Sequence, residues 1–357
     1  MNSDNKKYEL KNLSPKELEK LFAGWGEPAF RSKQLFNWMY NNLASDFSEM
    51  LNFSKALRNR LAEECELISL KLESVQSSSN SGTKKFLFST KDNNKIETVL
   101  IPDKNRNTLC ISTQAGCPLD CKFCATGLMG FIRNLTTAEI IDQYILAAKN
   151  CGENGITNIV YMGMGEPLIN FDDSVKSLEI FTHEYNIGLS RRKITLSTSG
   201  IPHRIKELAE RGLRIKLALS LHSCFEDIRS KIMPINKKYS LAENIDAIKY
   251  YTDKTKTRIT YEYTMLKGIN DRPEDIDALV KLCRKIPSKI NLIPFNSIAH
   301  MAPGGISAGL EPTPLNKIEK FAEELSKHKI TVILRNTQGS DIAAACGQLA
   351  GKDNSQL

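Results

Sequence analysis

The 357-residue sequence contains no apolar run that approaches the length of a membrane span. Its first residues, MNSDNKKYELK, lack the apolar core of a signal peptide. Apart from the Ser-rich stretch QSSSNSGT there is no low-complexity segment, and no internal repeat is found beyond an alternation of strands and helices. These absences argue against membrane insertion and export. We therefore expect a cytoplasmic protein without a membrane partner. We also expect it to act as a monomer.

The main cysteine motif lacks a fourth ligand. GCPLDCKFCATG holds Cys117, Cys121 and Cys124 within eight residues, but no fourth cysteine lies close by and no paired C-x2-C follows downstream. Structural zinc sites use four closed ligands, so the triad fits zinc poorly. Three thiolates around a [4Fe–4S] cluster would leave one iron open to a small molecule. A zinc site and three unrelated buried cysteines are the alternatives.

The charge and the nine cysteines narrow the possible functions. A net charge of +8 favours a polyanionic partner. In a reducing cytosol, cysteines serve as core residues, metal ligands or catalytic thiols more often than as disulfides. Three basic runs are each interpreted as solvated surface, but together they form a candidate approach for phosphates: Arg191–Lys193, Arg229–Lys231 and Asn236–Lys238.

Residues 1–66 are predicted to form a helical accessory domain. LSPKELEKLF offers Ser14 as N-cap, Pro15 at the first helical position and Glu17 as the residue that closes a capping box. The basic face of these helices is interpreted as solvated or in contact with nucleic acid. Residues 67–102 alternate apolar and polar side chains between turn sequences, which predicts a short antiparallel β extension.

From residue 103 to 340 a strand is followed by a helix six or seven times. Apolar strands in this arrangement predict a parallel sheet covered by helices, either doubly wound or curled into a full or partial barrel. Polar motifs end several strands, including GMGEP at Gly163 to Pro167 and STSG at Ser197 to Gly200. Such residues converge if the sheet curls, so the pattern favours a barrel. Residues 341–357 form a predicted C-terminal segment.

The cysteine triad resembles the cluster-binding signature of the radical S-adenosylmethionine (SAM) superfamily. Six further motifs resemble the RlmN/Cfr family of RNA adenine methyltransferases, in order from about Glu97 to Gly351: GMGEP, STSG, SLH, MPINKKY, NLIPFN and AACGQL. The resemblance implies an α/β chain with a partial (β/α)6-type radical SAM barrel. It also implies one [4Fe–4S] cluster per chain, held by the three cysteines, with SAM on the open iron.

The family's SAM contacts fall on residues of suitable chemistry. By resemblance they are Gly165, Glu166, Ser197, Ser220, Leu221, His222 and Asn296. A carboxylate such as Glu166 accepts hydrogen bonds from the ammonium group of SAM, while hydroxyl, amide and backbone groups suit its ribose and sulfonium. Glu166 is also explained as a residue that closes a turn, and His222 as a packing residue.

The resemblance assigns two more thiols, because C2 of adenine is an unactivated sp² carbon that does not attack the methyl group of SAM. Cys346 takes a methyl group from one SAM by thiolate attack. A radical made from a second SAM removes hydrogen from that methyl group, and the carbon radical adds to C2. Cys110 then attacks the sulfur of Cys346, which releases methylated RNA and leaves a disulfide for a reductant.

Two residues of this scheme also have simpler explanations. Glu97 matches the family's proton acceptor, although a glutamate on a strand is often solvated. Cys110 lies on an apolar strand, where a core residue is equally expected. No chemistry is assigned to the remaining four cysteines, and the Gly/Pro-rich segment after Asn296 is expected to shape the rim of the cavity.

The implied substrates are an adenosine of 23S rRNA at the peptidyl-transferase centre and the tRNA adenosine beside the anticodon, both methylated at C2. The base must leave its stack to reach a barrel mouth, so loop or single-stranded RNA is expected. An electron donor such as flavodoxin or ferredoxin is the further implied partner. Two alternatives stay open: methylation at C8, and a non-catalytic iron–sulfur protein that binds RNA. Because binding needs neither thiol, Cys110 and Cys346 argue against the second.

Overall fold

The computed structural model describes residues 7–152, 155–184 and 187–351. Residues 1–6 and 352–357, at the outer ends of the first and last predicted domains, lie outside the described residues. The N-terminal part packs Phe22, Leu35 and Leu61 into the hydrophobic core. Its elements are β1 Tyr8–Glu9, α1 Pro15–Gly24, α2 Phe30–Phe36, α3 Lys55–Glu64 and β2 Cys65–Glu66.

The predicted capping box at the start of α1 is confirmed. Glu17 N donates to Ser14 Oγ at 3.3 Å, and Ser14 N donates to the Glu17 carboxylate at 2.6 Å. The N-terminal part is also fastened to the rest of the chain by buried polar contacts. Lys11 Nζ lies 2.5 Å from Asp142 Oδ1 in a fully buried ion pair. Such a pair costs desolvation but fixes the relative placement of its two elements.

The predicted β extension consists of β3 Lys71–Ser77, β4 Lys84–Ser89 and β5 Lys95–Asp103. The three strands pair antiparallel, as their alternating pattern indicates. The last of them then pairs antiparallel with β6, Arg106–Cys110, which is the first strand of the strand–helix repeat. The extension is therefore continuous with the main sheet, which has ten strands.

The rest of the chain alternates strands and helices as predicted. In chain order its elements are β7 Gln114–Gly116, α4 Ala125–Leu128, β8 Phe131–Asn134, α5 Thr137–Ala148, β9 Asn158–Tyr161, α6 Phe171–Thr182, β10 Ile194–Thr198, α7 Pro202–Glu210, β11 Lys216–Ser220, α8 Glu226–Ile232, α9 Leu241–Thr255, β12 Ile259–Met265, α10 Pro273–Lys285, β13 Ser288–Pro294, α11 Leu315–Lys327 and β14 Thr331–Leu334. The pair β7 and β8 forms a small separate sheet around the cysteine motif.

The order of the parallel strands decides between the two predicted architectures. They are hydrogen-bonded in the order β6, β9, β10, β11, β12, β13, β14, without the reversal that defines a doubly wound sheet. Cys110 on β6 and Leu334 on β14 line the same cavity, although these strands are the two ends of the parallel series. The sheet is therefore curled into a partial barrel.

The strands put different side chains on the two faces of the curl. On β12, Tyr261 and Tyr263 are fully buried, and the ring of Tyr263 stacks on Phe321 of α11 with the centroids 6.2 Å apart. Thr260 and Glu262 alternate with them and line the cavity. Because successive side chains of a strand point to opposite faces, the helices cover an apolar outside and enclose a polar inside.

Candidate active site

The cysteine motif forms a tight loop between β7 and α4. Gly116 has φ +72° and lies so close to Gly130 that a Cβ atom would come within 2.0 Å of the Gly130 carbonyl oxygen. A Cβ atom on Gly127 would lie 2.9 Å from the Cys121 amide nitrogen. The two glycines are therefore required by the close approach of backbone to backbone. This turn brings all three cysteines of the motif to one wall of the cavity.

Cys117 and Cys121 are buried, Cys124 is half-buried, and all three are free thiols. Burial raises the pKa of Cys117 to about 12 and raises the pKa of both other thiols, so they are neutral unless a positive charge joins them. Within the described residues no three acidic, His or Cys side chains converge on a single ion. Three thiols without a fourth protein ligand fit a cluster with one open iron better than a structural zinc ion, which uses four closed ligands.

A cavity of about 610 Å³ joins most of the predicted site residues. It is lined by Cys110, Cys117, Cys121, Cys124, Gly165, Glu166, Ser197, Ser220, His222, Asn296 and Cys346. Two predicted residues are not on its wall. Leu221 is fully buried, and its amide donates to Glu262 O at 3.0 Å. Glu97 is also buried and lies behind the wall.

Glu166 lies at the end of β9 and connects this strand to β10. Its carboxylate accepts from Ser199 N at 2.7 Å and from Leu168 N at 3.1 Å. Burial raises its pKa. The neighbouring Gly165 has φ +98°, and a Cβ atom there would lie 2.5 Å from the side chain of Gln114. The turn-closing explanation of Glu166 is therefore confirmed, and the same carboxylate also borders the cavity.

His222 has a defined tautomer in its neutral form. Thr264 N donates to its Nδ1 at 2.9 Å, so the proton is on Nε2. Burial, reinforced by the charge of Arg229, lowers its pKa to about 3. The ring packs edge-on to Phe123 of the cysteine loop with the centroids 4.5 Å apart. His222 thus combines the predicted packing role with a neutral wall position in the cavity.

The C-terminal segment, Gly339–Gly351, places Cys346 in the cavity and is anchored on both sides. Ala125 N donates to Gly347 O at 2.7 Å, and Thr126 Oγ1 donates to Leu349 O at 2.7 Å. On the opposite rim, Asn296 Nδ2 donates to Cys346 O at 3.0 Å. The segment is therefore held directly against the cysteine loop and the end of β13.

None of the residues of the Gly/Pro-rich segment after Asn296 lines the cavity, and its role at the rim stays a prediction. Gln348 Nε2 donates to Ser297 O at 2.9 Å, and a ring nitrogen of His300 lies 3.0 Å from Gln348 O. These contacts connect the segment to the residues that follow Cys346.

Glu97 serves as an anchor of the C-terminal segment. Its Oε2 accepts from Ala350 N at 2.7 Å and from Gly351 N at 3.0 Å, and its Oε1 lies 3.0 Å from Lys85 Nζ. Both charged side chains are buried. The role of proton acceptor stays a prediction, because these contacts occupy Glu97 outside the cavity.

Cys110 and Cys346, which lie far apart in the sequence, line the same cavity. Cys110, at the end of β6, is buried, and burial followed by the nearby Cys346 raises its pKa to about 12. Cys346 is exposed toward the cavity, yet its enclosed position and the charge of Glu262 raise its pKa to about 11. Both thiols are therefore protonated near neutral pH in the absence of a bound cation.

Several charged residues of the cavity wall were not predicted, and two of them, Glu262 and Arg335, act on Cys346. Glu262, on β12, accepts from Asn291 Nδ2 at 2.9 Å, and burial raises its pKa. Arg335, just after β14, lines the cavity and lowers the pKa of Cys110, Cys346 and Glu262. The polar positions of TYEYT, which alternate along β12, were the available signal for Glu262.

The three basic runs do not form one surface. Arg191–Lys193 precedes β10 and lies at the N-terminal end of the barrel strands, whereas Asn236–Lys238 follows α8 at the other end. The interpretation of Arg229–Lys231 as surface is wrong for Arg229, which is fully buried. Its guanidinium donates to backbone carbonyls instead of facing water. No helix of the described residues is long and apolar enough to cross a membrane.

Comparison with known proteins shows the family of this chain. The profile of the Radical SAM superfamily matches residues 111–283, and that of the ribosomal RNA large subunit methyltransferase N-terminal domain matches residues 8–67. A "Probable dual-specificity RNA methyltransferase RlmN" from Dictyoglomus turgidum is 44% identical over 335 residues, which are 93% of this chain and 94% of the relative. The Marinomonas "Dual-specificity RNA methyltransferase RlmN" is 44% identical over 98% of this chain and 94% of its own length.

A solved structure supports the same conclusion. The radical SAM methyltransferase from Sphaerobacter thermophilus is 37% identical and superposes with a TM-score of 0.91, covering 97% of this chain and 100% of the other. The superfamily uses a [4Fe–4S] cluster and SAM, and the thiol-lined cavity fits both. The chain therefore belongs to the RlmN family of radical SAM RNA methyltransferases.

Proposed function

We propose that this enzyme methylates C2 of an adenosine in 23S rRNA, at the peptidyl-transferase centre, and C2 of the adenosine beside the anticodon in tRNA. The observation that carries the proposal is that Cys110 and Cys346 line the same cavity as the three cysteines of the loop. An ordinary SAM methyltransferase, which transfers the methyl group directly to a nucleophile, has no use for two further thiols there. The relatives' name, dual-specificity RNA methyltransferase, supports two RNA substrates.

Each wall residue has a defined task in this proposal. Cys117, Cys121 and Cys124 hold one [4Fe–4S] cluster per chain. SAM contacts Gly165, Glu166, Ser197, Ser220, His222 and Asn296, and Leu221 contributes only through its backbone because its side chain is buried elsewhere. When bound, the cluster supplies the electron that cleaves SAM reductively. The residues of the chain then orient the methyl acceptor and keep water away from it.

Cys346 accepts the first methyl group. Its thiol must lose a proton, since the thiolate is the nucleophile, and its pKa of about 11 opposes this. The positive sulfonium of SAM in the same cavity favours the thiolate, and Arg335 acts in the same direction. The S–CH3 bond to Cys346 forms as the bond from the methyl group to the sulfonium breaks, leaving S-adenosylhomocysteine. The position of the segment, fixed by Asn296 and Thr126, supports this approach.

A second SAM is consumed when hydrogen is removed from the S-methyl group, so that two SAM are used per turnover. The methylene radical carbon then joins C2 of adenine. The adduct loses the C2 hydrogen as a proton together with one electron, for which the oxidised cluster would be the acceptor, and RNA is tethered to Cys346. The Cys110 thiolate attacks the sulfur of Cys346, and the electron pair of the broken C–S bond passes to the methylene carbon, which takes a proton and becomes the methyl group, while a Cys110–Cys346 disulfide remains. Two electrons from an external thiol reductant restore the thiols. Flavodoxin or ferredoxin is proposed as the donor to the cluster, with the enzyme acting as a monomer.

The test is incubation of reconstituted enzyme with 23S rRNA fragments or tRNA, SAM and a reductant, followed by mass spectrometry of the nucleosides. We expect 2-methyladenosine from both RNAs. Cys151→Ala serves as a matched control, because Cys151 lies outside the cavity and should not affect the product. Exclusive formation of 8-methyladenosine would overturn the regiochemistry, and RNA binding without any methylation would favour a non-catalytic protein.

A further inference from the structure

The largest fully buried side chain of the described residues belongs to Arg229, on the short helix α8. The methylation scheme gives it no task. A guanidinium cannot lose its proton under ordinary conditions, so this residue is a permanent positive charge inside the protein. Burial even lowers its pKa, to about 10, which leaves it charged at neutral pH. Burying such a charge is costly unless other groups compensate it.

The hydrogen bonds of Arg229 converge on the ends of two barrel strands. Nη2 donates to Ser199 O at 2.6 Å and to Ser220 O at 3.1 Å, while Nε donates to Leu221 O at 3.1 Å. These carbonyls belong to the STSG and SLH motifs, which carry the proposed SAM contacts. One planar guanidinium thus sets the spacing between the ends of β10 and β11.

The same helix also contacts the cysteine loop. Lys122 N, between the second and third cysteines, donates to Ile232 O at 2.9 Å. Ile232, the last residue of α8, also packs in one buried cluster with Cys117 and Cys121 of the loop. The cation is therefore on the cluster side of the cavity.

No carboxylate of the described chain forms an ion pair with Arg229. Its Nη1 donates to the neutral Asn236 Oδ1, and Asn236 Nδ2 in turn donates to Glu226 Oε2 at 2.6 Å. The acidic group is thus held one side chain away from the guanidinium. The positive charge of Arg229 is therefore not neutralised by a directly paired carboxylate and is free to act on a group bound at the three cysteines of the loop.

We propose that Arg229 is the countercharge of the iron–sulfur cluster and, at the same time, the clamp that spaces the two SAM-contacting strand ends. The proposal rests on the proposed function, because that function places the cluster at the three cysteines. Arg229 is a positioning residue: it acts on the cluster through charge and on SAM through the carbonyls it holds.

The chemical consequence concerns reduction of the cluster. A [4Fe–4S] core bound by three thiolates is anionic overall, and each added electron makes it more so, which is why net charge and local environment set its potential. A buried cation stabilises the reduced form, because the interior screens charges less than water does. Arg229 therefore raises the midpoint potential and eases electron transfer from a weak donor.

Two variants separate charge from clamping. The double exchange Asn236→Asp with Glu226→Gln moves one carboxylate next to Arg229, keeps the net charge of the protein and preserves the hydrogen-bond chain through position 226. Arg229→Lys keeps the charge but removes the fork that spans the three carbonyls. Arg272→Gln is the control, because Arg272 is paired with Asp275 and stacks on Phe225 outside the cavity wall.

Each protein is reconstituted anaerobically, and iron content, midpoint potential in a mediated redox titration and SAM affinity are measured. We expect the double exchange to lower the potential with little change in SAM affinity. Arg229→Lys should weaken SAM binding about tenfold or more, since three hydrogen bonds from a charged donor are disturbed, with a smaller change in potential. Arg272→Gln should match the wild type in both.

The outcomes distinguish this proposal from the function on which it rests. Wild-type protein that takes up no iron–sulfur cluster overturns the proposed function itself. A loaded double variant with the wild-type potential overturns the countercharge, and unchanged SAM affinity in Arg229→Lys overturns the clamp. If Arg229→Lys fails to fold, the double exchange still tests the charge, because it keeps every contact of the guanidinium.

Discussion

The cysteine loop, Gly116–Gly127, and the C-terminal segment, Gly339–Gly351, both deliver thiols to one cavity, but they are supported differently. The loop carries three thiols within eight residues and folds on itself, with Cys124 N donating to Cys121 O at 3.1 Å. The C-terminal segment carries one thiol, and its position depends on Glu97, Thr126 and Asn296, which are far away in the sequence. The loop is thus held by contacts within its own sequence, whereas the C-terminal segment is held by residues that are distant in the sequence.

This difference predicts which substitutions abolish cluster binding and which abolish methyl transfer. Damage to the loop removes the cluster outright, and only residues in or beside the loop matter. Damage to the C-terminal segment should leave the cluster in place and affect the methyl transfer, and it can be caused by residues on distant strands. The following predictions test this separation, from the largest expected effect to the smallest.

Replacing any one cysteine of the loop by alanine should remove the brown colour, almost all iron and all SAM cleavage. The remaining two thiolates do not hold a cluster that needs three. Iron analysis and detection of 5′-deoxyadenosine measure the effect, and Cys283→Ala, at a half-buried position of α10 outside the cavity, is the matched control. Zinc at one ion per chain, with no iron after reconstitution, would contradict the assignment of the loop.

Replacing Cys346 and replacing Cys110 should stop methylation at different steps. Cys346→Ala should keep its iron and give no methylated RNA, because the methyl acceptor is missing. Cys110→Ala should trap the protein covalently on RNA, because the thiol that breaks the bridge is gone. A denaturing gel before and after ribonuclease treatment measures the adduct.

Either mutant turning over normally, or an adduct that survives the additional loss of Cys346, would contradict the scheme. A cysteine-to-alanine change of this kind costs on the order of 1 kcal/mol of stability. Simple unfolding should therefore not imitate two opposite failures.

Glu97→Gln should loosen the C-terminal segment without loss of iron. The change removes the ion pair with the buried Lys85 and leaves only one weaker acceptor for the amides of Ala350 and Gly351. Hydrogen bonds to a charged group contribute about 1.5–3 kcal/mol, so S-methylation of Cys346 should fall about tenfold or more. Hydrogen exchange of the two amides and mass spectrometry of Cys346 follow the two effects.

The same variant tests the role of proton acceptor. If amide exchange and S-methylation stay as in the wild type while RNA methylation is lost, Glu97 acts on the substrate and the anchoring role is wrong. Glu207→Gln is the control, since Glu207 on α7 forms exposed ion pairs with Arg204 and Arg211.

Thr126→Val should have the smallest effect, because it removes a single hydrogen bond between the loop and the segment. A net loss of about 1 kcal/mol is expected, which corresponds to about a fivefold rise in local opening. Hydrogen exchange in the C-terminal segment should increase slightly, with iron content unchanged. Thr182→Val on α6, which removes the hydroxyl's hydrogen bonds to the backbone carbonyl oxygens of Leu178 and Glu179, should leave the segment unaffected.

Much of the fold was predictable because its signals are local. The capping box at Ser14 and Glu17 depends on residues three apart, and the apolar strands of the barrel are recognisable one by one. The partial barrel was favoured from motifs at strand ends, and the order of the strands confirmed it. The continuity of the β extension with the barrel was not predictable, since it depends on the pairing of β5 with β6.

The burial of charged side chains could not be predicted from the sequence. Arg229 lies between an acidic pair and a lysine in EDIRSKI, which resembles surface, yet it is fully buried. Its burial is possible only because carbonyls from two other strands meet it. No pattern within α8 reports the presence of those carbonyls.

The sequence by itself determined the triad of closely spaced cysteines, the succession of strands and helices and the family, because each depends on residue type at short spacing or on an ordered set of motifs. Only the tertiary structure decided that Cys346 and Cys110 line the same cavity, that Glu97 anchors the C-terminal segment, and that the buried Leu221 is not part of the cavity wall. These facts depend on which distant backbone groups meet. Such meetings are fixed by the packing of the whole sheet, which no short stretch of sequence encodes.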